Sequence, residues 1–308
     1  MKDNSLPIKL NLPQVFFEEE VRSGYLVSAK MKKIWAVELD LLNELLNVCN
    51  KYGLSIYANG GTILGAVRHK GMIPWDDDID MMMPRKDYEK LCSIALSEFK
   101  YPYFFQTEDT DPGSYRGHAQ FRNSKTTAIL EGEFVYKRKM NQGIFIDIFP
   151  LDNVPDSIED REKFKNQAQK MRRKYNEYLL LSLPYHFVFR KNLVLLGLSI
   201  VKRLLIPHHK VSRMCKVFYN RFVVFTKKYI DIPTKSFLCI PCCTTIYDKN
   251  DLAKPIYMPF EILSIPVPFN YEKILEELYG DWHEFIIAPS MHGKVIFDTE
   301  KSYIEYLK

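Results

Sequence analysis

The chain has 308 residues, of which 46% are hydrophobic and 26% are charged. This composition excludes disordered, collagen-like and fibrous proteins. The formal net charge of +5 is too small to indicate a nucleic-acid partner, and we expect none. The six cysteines do not predict a disulfide framework in a chain of this length, and the first residues lack a signal-peptide pattern. We therefore expect a cytoplasmic protein.

The first part of the chain predicts a long helix followed by a strand and a short helix. Ser28 stands at an N-cap position, and apolar residues at helical spacing continue to Gly53, which fits a helix C-terminus. Leu54–Ala58 predicts a short strand that ends at a pair of glycines. Thr62–His69 then predicts a short helix capped by Thr62.

The rest of the chain predicts further strands and helices. Ile79–Met83 reads as a buried strand, and Pro84 begins a helix to about Phe99. More strands are expected at 103–106, 119–122, 127–130 and 143–149, the last ended by Pro150, and helices at 271–279 and the C-terminus. We predict an α/β (α+β) fold with a mixed sheet flanked by helices. Its parts are a catalytic core at 1–155, a basic helical segment at 156–230 and a C-terminal part at 231–308 that packs back on the core.

The positive charge is concentrated in one segment. Residues 163–228 contain 16 Lys and Arg and a single acid, Glu177, so the remainder of the chain carries a net charge of −10. Three interpretations are open for this segment. It is a solvated face of several helices, a peripheral contact with the anionic inner face of the plasma membrane, or a surface that steers an anionic acceptor.

A cluster of acids carries the strongest chemical signal. Asp76, Asp77, Asp78 and Asp80 lie within five residues and run into an apolar strand. Because side chains alternate along a strand, Asp78 and Asp80 are predicted to share one side, where two carboxylates can bind a hard cation. The alternative is an acidic surface turn or a helix cap, but such turns rarely run straight into an apolar strand.

Two further features support a ligand site. Asp147 lies in the apolar segment Gly143–Phe149, where an unpaired charge is costly, so either a metal or a salt bridge to an arginine is expected. The Gly60-Gly61-Thr62 turn permits close approach of a ligand to the backbone, and the following helix start offers N–H groups to phosphate.

The order of these features resembles the nucleotidyltransferase superfamily, in which a glycine pair precedes an Asp-apolar-Asp strand and a distal carboxylate. Within it, Gly60–Leu91 (GGTILGAVRHKGMIPWDDDIDMMMPRKDYEKL) is similar to the LicD family of bacterial phosphocholine transferases, distant relatives of fukutin and fukutin-related proteins. The resemblance extends to the helix before it and to Phe121–Ile129, Gly143–Pro155 and Tyr279–Trp282.

The resemblance implies transfer of phosphocholine, or a related alcohol phosphate, from a CDP-alcohol donor to a glycan or lipid-linked glycan acceptor, with release of CMP. Such acceptors are polysaccharide, teichoic acid or lipopolysaccharide precursors. It also implies that Mg²⁺, or Mn²⁺ as the alternative, is bound by the three catalytic carboxylates, Asp78, Asp80 and Asp147. We hypothesise that Asp147 also accepts the proton of the attacking hydroxyl.

Further residues are predicted to bind the donor, with Arg groups suited to its phosphates. They are Gly60, Gly61, Thr62, Arg68, Trp75, Asp76, Arg122 and Lys125. The alternatives are an ion pair between Arg68 and a neighbouring Asp, a packing role for Trp75, and a solvated face for Arg122 and Lys125.

Other functions stay open at this stage. A metal-dependent glycosyltransferase also uses an Asp-x-Asp pair, an antibiotic-type nucleotidyltransferase transfers the nucleotide itself, and a non-enzymatic polysaccharide-binding relative has no turnover. A glycosyltransferase function does not explain the glycine turn. A binding function does not explain a cluster of carboxylates that repel one another. Cys239, Cys242 and Cys243 are either zinc ligands or, as we favour, buried reduced thiols.

Overall fold

The computed structural model describes residues 6–131, 133, 139–182, 201, 207–239, 245–287 and 293–307. Its centre is a mixed seven-stranded sheet flanked by helices, which confirms the predicted α/β fold class. The helices are α1 (Ala29–Tyr52), α2 (Gly60–Leu64), α3 (Arg85–Glu98), α4 (Ile158–Ser182), α5 (His208–Thr226), α6 (Tyr271–Tyr279) and α7 (Tyr303–Tyr306). The strands are β1 (Glu20–Arg22), β2 (Tyr25–Val27), β3 (Tyr57–Ala58), β4 (Asp80–Pro84), β5 (Tyr103–Gln106), β6 (Ala119–Asn123), β7 (Thr127–Leu130), β8 (Ile144–Val154), β9 (Ser236–Cys239), β10 (Ile246–Asp248), β11 (Ile256–Phe260), β12 (Leu263–Val267) and β13 (Val295–Asp298).

Strand β8 organises the central sheet. One edge of β8 pairs in parallel with β4, which in turn pairs with β3. The other edge pairs first with β6, over residues 144–148, and then with β9, over residues 151–154. β5 extends the sheet beyond β6, and β10 extends it beyond β9. The C-terminal part of the chain therefore completes the same sheet as the acidic strand β4.

Pro150 does not end its strand, contrary to the sequence prediction. The backbone N–H of Asp147 donates to the carbonyl of Ile79 at 2.9 Å, so the odd-numbered N–H groups of β8 point toward β4. The nitrogen of Pro150 therefore points to the other edge, between the segments paired with β6 and with β9. Its missing N–H costs no ladder bond there, and the strand continues to Val154.

Helix α1 follows its sequence prediction at both ends. The Ser28 hydroxyl accepts a hydrogen bond from the N–H of Met31 at 3.2 Å, and Gly53 adopts the left-handed conformation, with φ of 61°. Trp35, Leu42 and Leu45 are buried in the main core, on the face of α1 that packs against β8. The helix thereby covers one face of the sheet at β8, the strand that pairs with the acidic strand β4.

The short helix after the glycine pair begins earlier than predicted. Its N-cap is Asn59, and Thr62 lies inside its first turn. Thr62 does not cap the helix because its hydroxyl accepts a hydrogen bond from the N–H of Asp80 at 2.8 Å. The helix continues as a π-helical turn over Gly65–His69, and the preceding strand is only two residues long.

Helices α4 and α5 form an antiparallel pair with a hydrophobic cluster of its own. Phe164 near the start of α4 stacks on Phe225 near the end of α5, with ring centroids 4.6 Å apart. Tyr175 packs against Phe222 and Tyr219. These helices form the described portion of the basic segment. Within that portion and the other described residues, no helix is both long and apolar enough to cross a membrane.

Candidate active site

Two carboxylates meet at the centre of the sheet. Asp80 opens β4 and is in register with Asp147 of β8. Neighbouring strands lie about 4.8 Å apart, and residues level with each other point to the same face. Asp78 lies two residues before Asp80 and is partly exposed, whereas the intervening Ile79 is buried. The sheet thus brings together two of the three predicted metal ligands, with the third beside them.

The glycine turn lies directly against this acidic strand. The N–H of Asn59 donates to the carbonyl of Asp80 at 2.9 Å, and the N–H of Asp80 donates to the hydroxyl of Thr62. Both backbone groups of Asp80 are therefore bonded to the segment that contains the glycine turn. A Cβ atom on Gly60, whose φ is +50°, would lie 3.9 Å from Asp80 Oδ2, and one on Gly61 would lie 2.9 Å from Asp76 Oδ2. Glycine is favoured at position 60 by the left-handed backbone and at position 61 by the close approach of the Asp76 carboxylate.

Gly61→Ala is expected to lower turnover by about 10- to 100-fold, because its methyl group displaces the Asp76 carboxylate and shifts the reacting groups. The clash is with the end of a side chain, so the fold should survive. Steady-state kinetics and the thermal midpoint check this together. An unchanged kcat in a folded Gly61→Ala protein would contradict the role given to the turn.

The electrostatics of the acidic strand favour a cation. Burial raises the pKa of Asp80 well above its usual range, and the charges of Asp78, Asp147 and Asp76 raise it further. Loss of hydration around the Tyr279 hydroxyl, together with the charges of Asp76, Asp80 and Asp78, raises the pKa of this hydroxyl to about 12. A bound cation offsets such repulsion. Tyr279 on α6 also lies 3.6 Å from the position of a Cβ on Gly60.

Sequence reasoning missed a further buried acid, Glu38 on α1. Its side chain is 1% exposed, and its Oε2 atom has no hydrogen-bond partner among the described residues. Burial raises its pKa well above the usual range, as do the charges of Asp77, Asp78 and Asp76. One turn earlier, the indole N–H of Trp35 donates to the carbonyl of Asp76 at 3.1 Å. The available signal was a glutamate on the apolar stripe of a helix.

Asp147 is paired with a histidine rather than with the arginine considered from sequence. His118 Nε2 lies 3.1 Å from Asp147 Oδ1. Despite the burial of Asp147, the charge and hydrogen bond of His118 lower its pKa, with help from Gln120 and Arg116. A lowered pKa suits a cation ligand better than a proton acceptor. His118, Gln120 and Arg122 alternate along one face of β6, a pattern visible in the sequence.

Arg122, which the sequence analysis predicts as a contact to donor phosphates, is surrounded by protein groups in the structure. It is 1% exposed and lies in the interior of the sheet. Its Nε donates to Gln106 Oε1 at 2.7 Å, its Nη1 to the Gly143 carbonyl at 2.7 Å, and its Nη2 to Gln120 Oε1. Burial lowers its pKa to about 9. Arg122 therefore orients Gln120, which in turn hydrogen-bonds to Asp147.

The other residues predicted to bind the CDP-alcohol donor lie at different distances from the carboxylates. Lys125 is exposed beyond the end of β6, with its Nζ 5.7 Å from the Tyr101 ring. It lies in the turn after β6, whose last residue Asn123 pairs with Ile144, three residues along β8 from Asp147. We therefore do not retain Lys125 as a donor contact.

Arg68 lies in the π-helical turn that follows the glycine pair, and Trp75 lies in the loop just before the acidic run. Arg68 Nη1 donates to the carbonyls of Trp282 and Glu284 at 2.9 and 2.7 Å, and its Nε donates to His69 Nε2 at 3.0 Å. Its observed partners are therefore not the neighbouring Asp residues. Burial lowers the pKa of Arg68, partly offset by the hydroxyl of Tyr279. Trp75 is half-buried and packs edge-to-face against Tyr25, with ring centroids 5.9 Å apart.

His118→Ala is expected to lower turnover by about 10- to 100-fold, the usual effect of removing a group that orients a metal-binding carboxylate. His118→Gln should recover much of the loss, because its amide can still donate to Asp147. The exposed His209→Ala is the control and should leave turnover unchanged. Equal losses in the alanine and glutamine variants would contradict the orienting role.

These residues fit the implied cation only if substrate phosphates bind it together with them. Within the described residues, no three His, Cys, Asp or Glu side chains form a group that could hold a metal by themselves. Mg²⁺ is commonly bound by one or two carboxylates together with substrate phosphates. The Asp80 and Asp147 pair meets that requirement. As for zinc, Cys242 and Cys243 lie outside the described residues, and Cys239 is buried.

Comparison with known proteins adds independent information. Residues 53–189 match the family model LicD/FKTN/FKRP, nucleotidyltransferase domain. A stretch of 118 residues, 38% of this chain, is 33% identical to lipopolysaccharide cholinephosphotransferase LicD of Haemophilus influenzae and covers 43% of that protein. A stretch of 139 residues, 45% of this chain, is 35% identical to an uncharacterized protein of Rickettsia prowazekii and covers 46% of it. The chain thus spans less than half the length of these relatives.

Proposed function

We propose that this chain is a phosphotransferase, because residues 53–189 match the family model LicD/FKTN/FKRP, nucleotidyltransferase domain. Its reaction moves phosphocholine, or a related alcohol phosphate, from a CDP-alcohol to a sugar hydroxyl of a cell-surface glycan precursor and releases CMP. The relative from Haemophilus influenzae, a lipopolysaccharide cholinephosphotransferase, supports phosphocholine as the transferred group and lipopolysaccharide as the acceptor class.

One observation carries the proposal. Asp80 and Asp147 stand side by side on parallel strands, and the Gly60-Gly61 turn lies against Asp80. Carboxylates that share a cation, next to a backbone without side chains, suit a diphosphate better than a neutral sugar. The raised pKa of Asp80 supports the same conclusion, since the pair needs positive charge to be fully ionised.

The residues have distinct roles in this reaction. Mg²⁺, when bound, neutralises the diphosphate oxygens and the departing CMP. Asp80 and Asp147 would hold it, with Asp78 beside them, and His118 keeps Asp147 oriented and ionised. The acceptor hydroxyl forms a new P–O bond to the alcohol phosphate as the P–O bond to CMP breaks, and its proton passes to a base or to water. Positioning supplies most of the rate in phosphoryl transfer.

The nature of the products tests this proposal. The protein is incubated with Mg²⁺, a glycan extract and one donor at a time, either CDP-choline, CDP-ethanolamine, CDP-ribitol, CDP-glycerol or a nucleotide-sugar. The nucleotides are then separated by chromatography. We expect CMP, together with choline phosphate esterified to glycan. Release of a nucleoside diphosphate from a nucleotide-sugar would instead show a glycosyltransferase, and a nucleotidylated acceptor would show a nucleotidyltransferase. Absence of any product with every donor would favour a binding protein and contradict the proposal.

A further inference from the structure

The outer face of α5 carries basic and apolar side chains together. The helix sequence contains no acidic residue. Exposed residues recur every three or four positions along this face and its continuation, so they form one stripe. The stripe consists of Lys210, Arg213, Val217, Arg221, Val224 and Lys228. Val224 is 71% exposed and Val217 is 39% exposed, although the helix already buries a complete inner face.

The inner face of α5 has its partners within the protein. Tyr219 and Phe222 pack against Tyr175 of α4, and Phe225 stacks on Phe164. Val217 and Val224 therefore belong to a second apolar surface and not to an incomplete core. An open hollow between the two helices extends this surface. The hollow is lined by Met171, Asn220, Arg221, Val224, Phe225 and Lys228.

Helix α4 extends the positive charge beside this hollow. Lys170, Arg173 and Lys174 are exposed within one turn of Met171. The acid in this stretch of the helix, Glu177, lies 3.6 Å from Lys174. The remaining acids of α4, at 159, 160 and 162, lie two or more turns away near its first turn, where Lys163 and Lys165 pair with them. The field over the hollow is thus positive.

We propose that the α4–α5 surface, defined by the stripe on α5 and by Lys170–Lys174, binds an anionic lipid bilayer. Basic side chains at the rim contact lipid phosphates, while Val217 and Val224 enter the boundary between headgroups and acyl chains. A nucleic acid would satisfy the charge but would leave the valines exposed to water. The inference does not rest on the proposed reaction, because it uses no residue of the candidate active site.

Vesicle sedimentation of the full chain tests this inference. We expect the protein to sediment with vesicles of phosphatidylcholine and phosphatidylglycerol (70:30), not with pure phosphatidylcholine, and to be released by salt. Arg213→Glu/Arg221→Glu should weaken binding about tenfold or more, and Val217→Asp/Val224→Asp should weaken it as well. The matched controls, Lys30→Glu/Lys254→Glu and Val15→Asp, change exposed residues elsewhere and should bind as wild type.

Three outcomes would overturn the inference. The first is failure of the wild-type protein to sediment with anionic vesicles at low salt. The second is equal weakening by the control variants, which would reflect net charge alone. The third is binding of RNA, lost in Arg213→Glu/Arg221→Glu, without any binding to vesicles. Circular dichroism of each variant verifies that these surface changes leave the helices intact, and CMP release from a soluble donor remains a separate readout.

Discussion

Asp80→Asn is expected to lower CMP release from CDP-choline by about 10²- to 10³-fold, the scale on which removal of one main electrostatic group acts. The substitution keeps the size of the side chain and leaves the backbone bonds of Asp80 to Thr62 and Asn59 in place. What it removes is one of two carboxylates that stand level on parallel strands. The loss should therefore fall on cation binding and turnover, not on folding.

Asp77→Asn is the matched control for this prediction. Asp77 belongs to the same acidic run but is not among the three predicted ligands. Its neutralisation should change turnover by less than about tenfold, because it alters only the surrounding field. Mn²⁺ binding followed by electron paramagnetic resonance should weaken in Asp80→Asn and persist in Asp77→Asn. Full turnover in Asp80→Asn, or equal losses in the two variants, would remove Asp80 from the cation site.

Asp152→Ala is expected to reduce the free energy of unfolding by about 3–5 kcal/mol, the cost of removing one partner of a buried ion pair. Arg85 would keep only the longer contact, 3.3 Å, with the partly exposed Glu89. Arg85 Nε and Nη2 each donate to a carboxylate oxygen of Asp152 at 2.7 Å, and the two residues are 5% and 1% exposed. This pair joins the start of α3 to β8, just beyond the carboxylate site. Urea unfolding of the variant measures the loss.

The neighbouring Lys86 provides a control, because it also forms an ion pair with an aspartate but does so at the solvent-exposed surface. Its Nζ lies 3.0 Å from Asp231, and both side chains are mostly exposed. Asp231→Ala should therefore change stability by no more than about 1 kcal/mol. Replacing both buried partners, as in Arg85→Met/Asp152→Leu, should cost less than Asp152→Ala alone. If the double replacement is the most damaging of the three, the explanation by an unpaired buried charge is wrong.

The local parts of the fold could be read from sequence because local residues determine them. Ser28 and Gly53 mark the ends of α1 through a cap and a left-handed residue. The acids of β4 and Asp147 were also visible as charges in apolar strands. Their register could not be read, because parallel pairing of β4 with β8 joins residues 67 positions apart through tertiary packing.

The partners of the carboxylates were hidden for the same reason. His118 and Glu38 reach the acids from a separate strand and a separate helix, so no motif spacing connects them. Arg122 was predicted to bind phosphate because a basic residue near a strand end resembles a phosphate ligand in sequence. Only the structure shows it enclosed by Gln106, Gln120 and Gly143. Sequence therefore indicated the acidic groups of the candidate site, whereas tertiary packing determines which residues surround them.

The most direct test of the central claim is calorimetric binding of CDP-choline to the wild-type protein, with Mg²⁺ and with a chelator. The claim is that Asp80 and Asp147 bind the donor diphosphate through a shared cation. We predict binding in Mg²⁺, loss of most affinity in the chelator, and the same loss when Asp80→Asn or Asp147→Asn is titrated in Mg²⁺. Equal affinity of the wild-type protein with and without Mg²⁺ would contradict the claim.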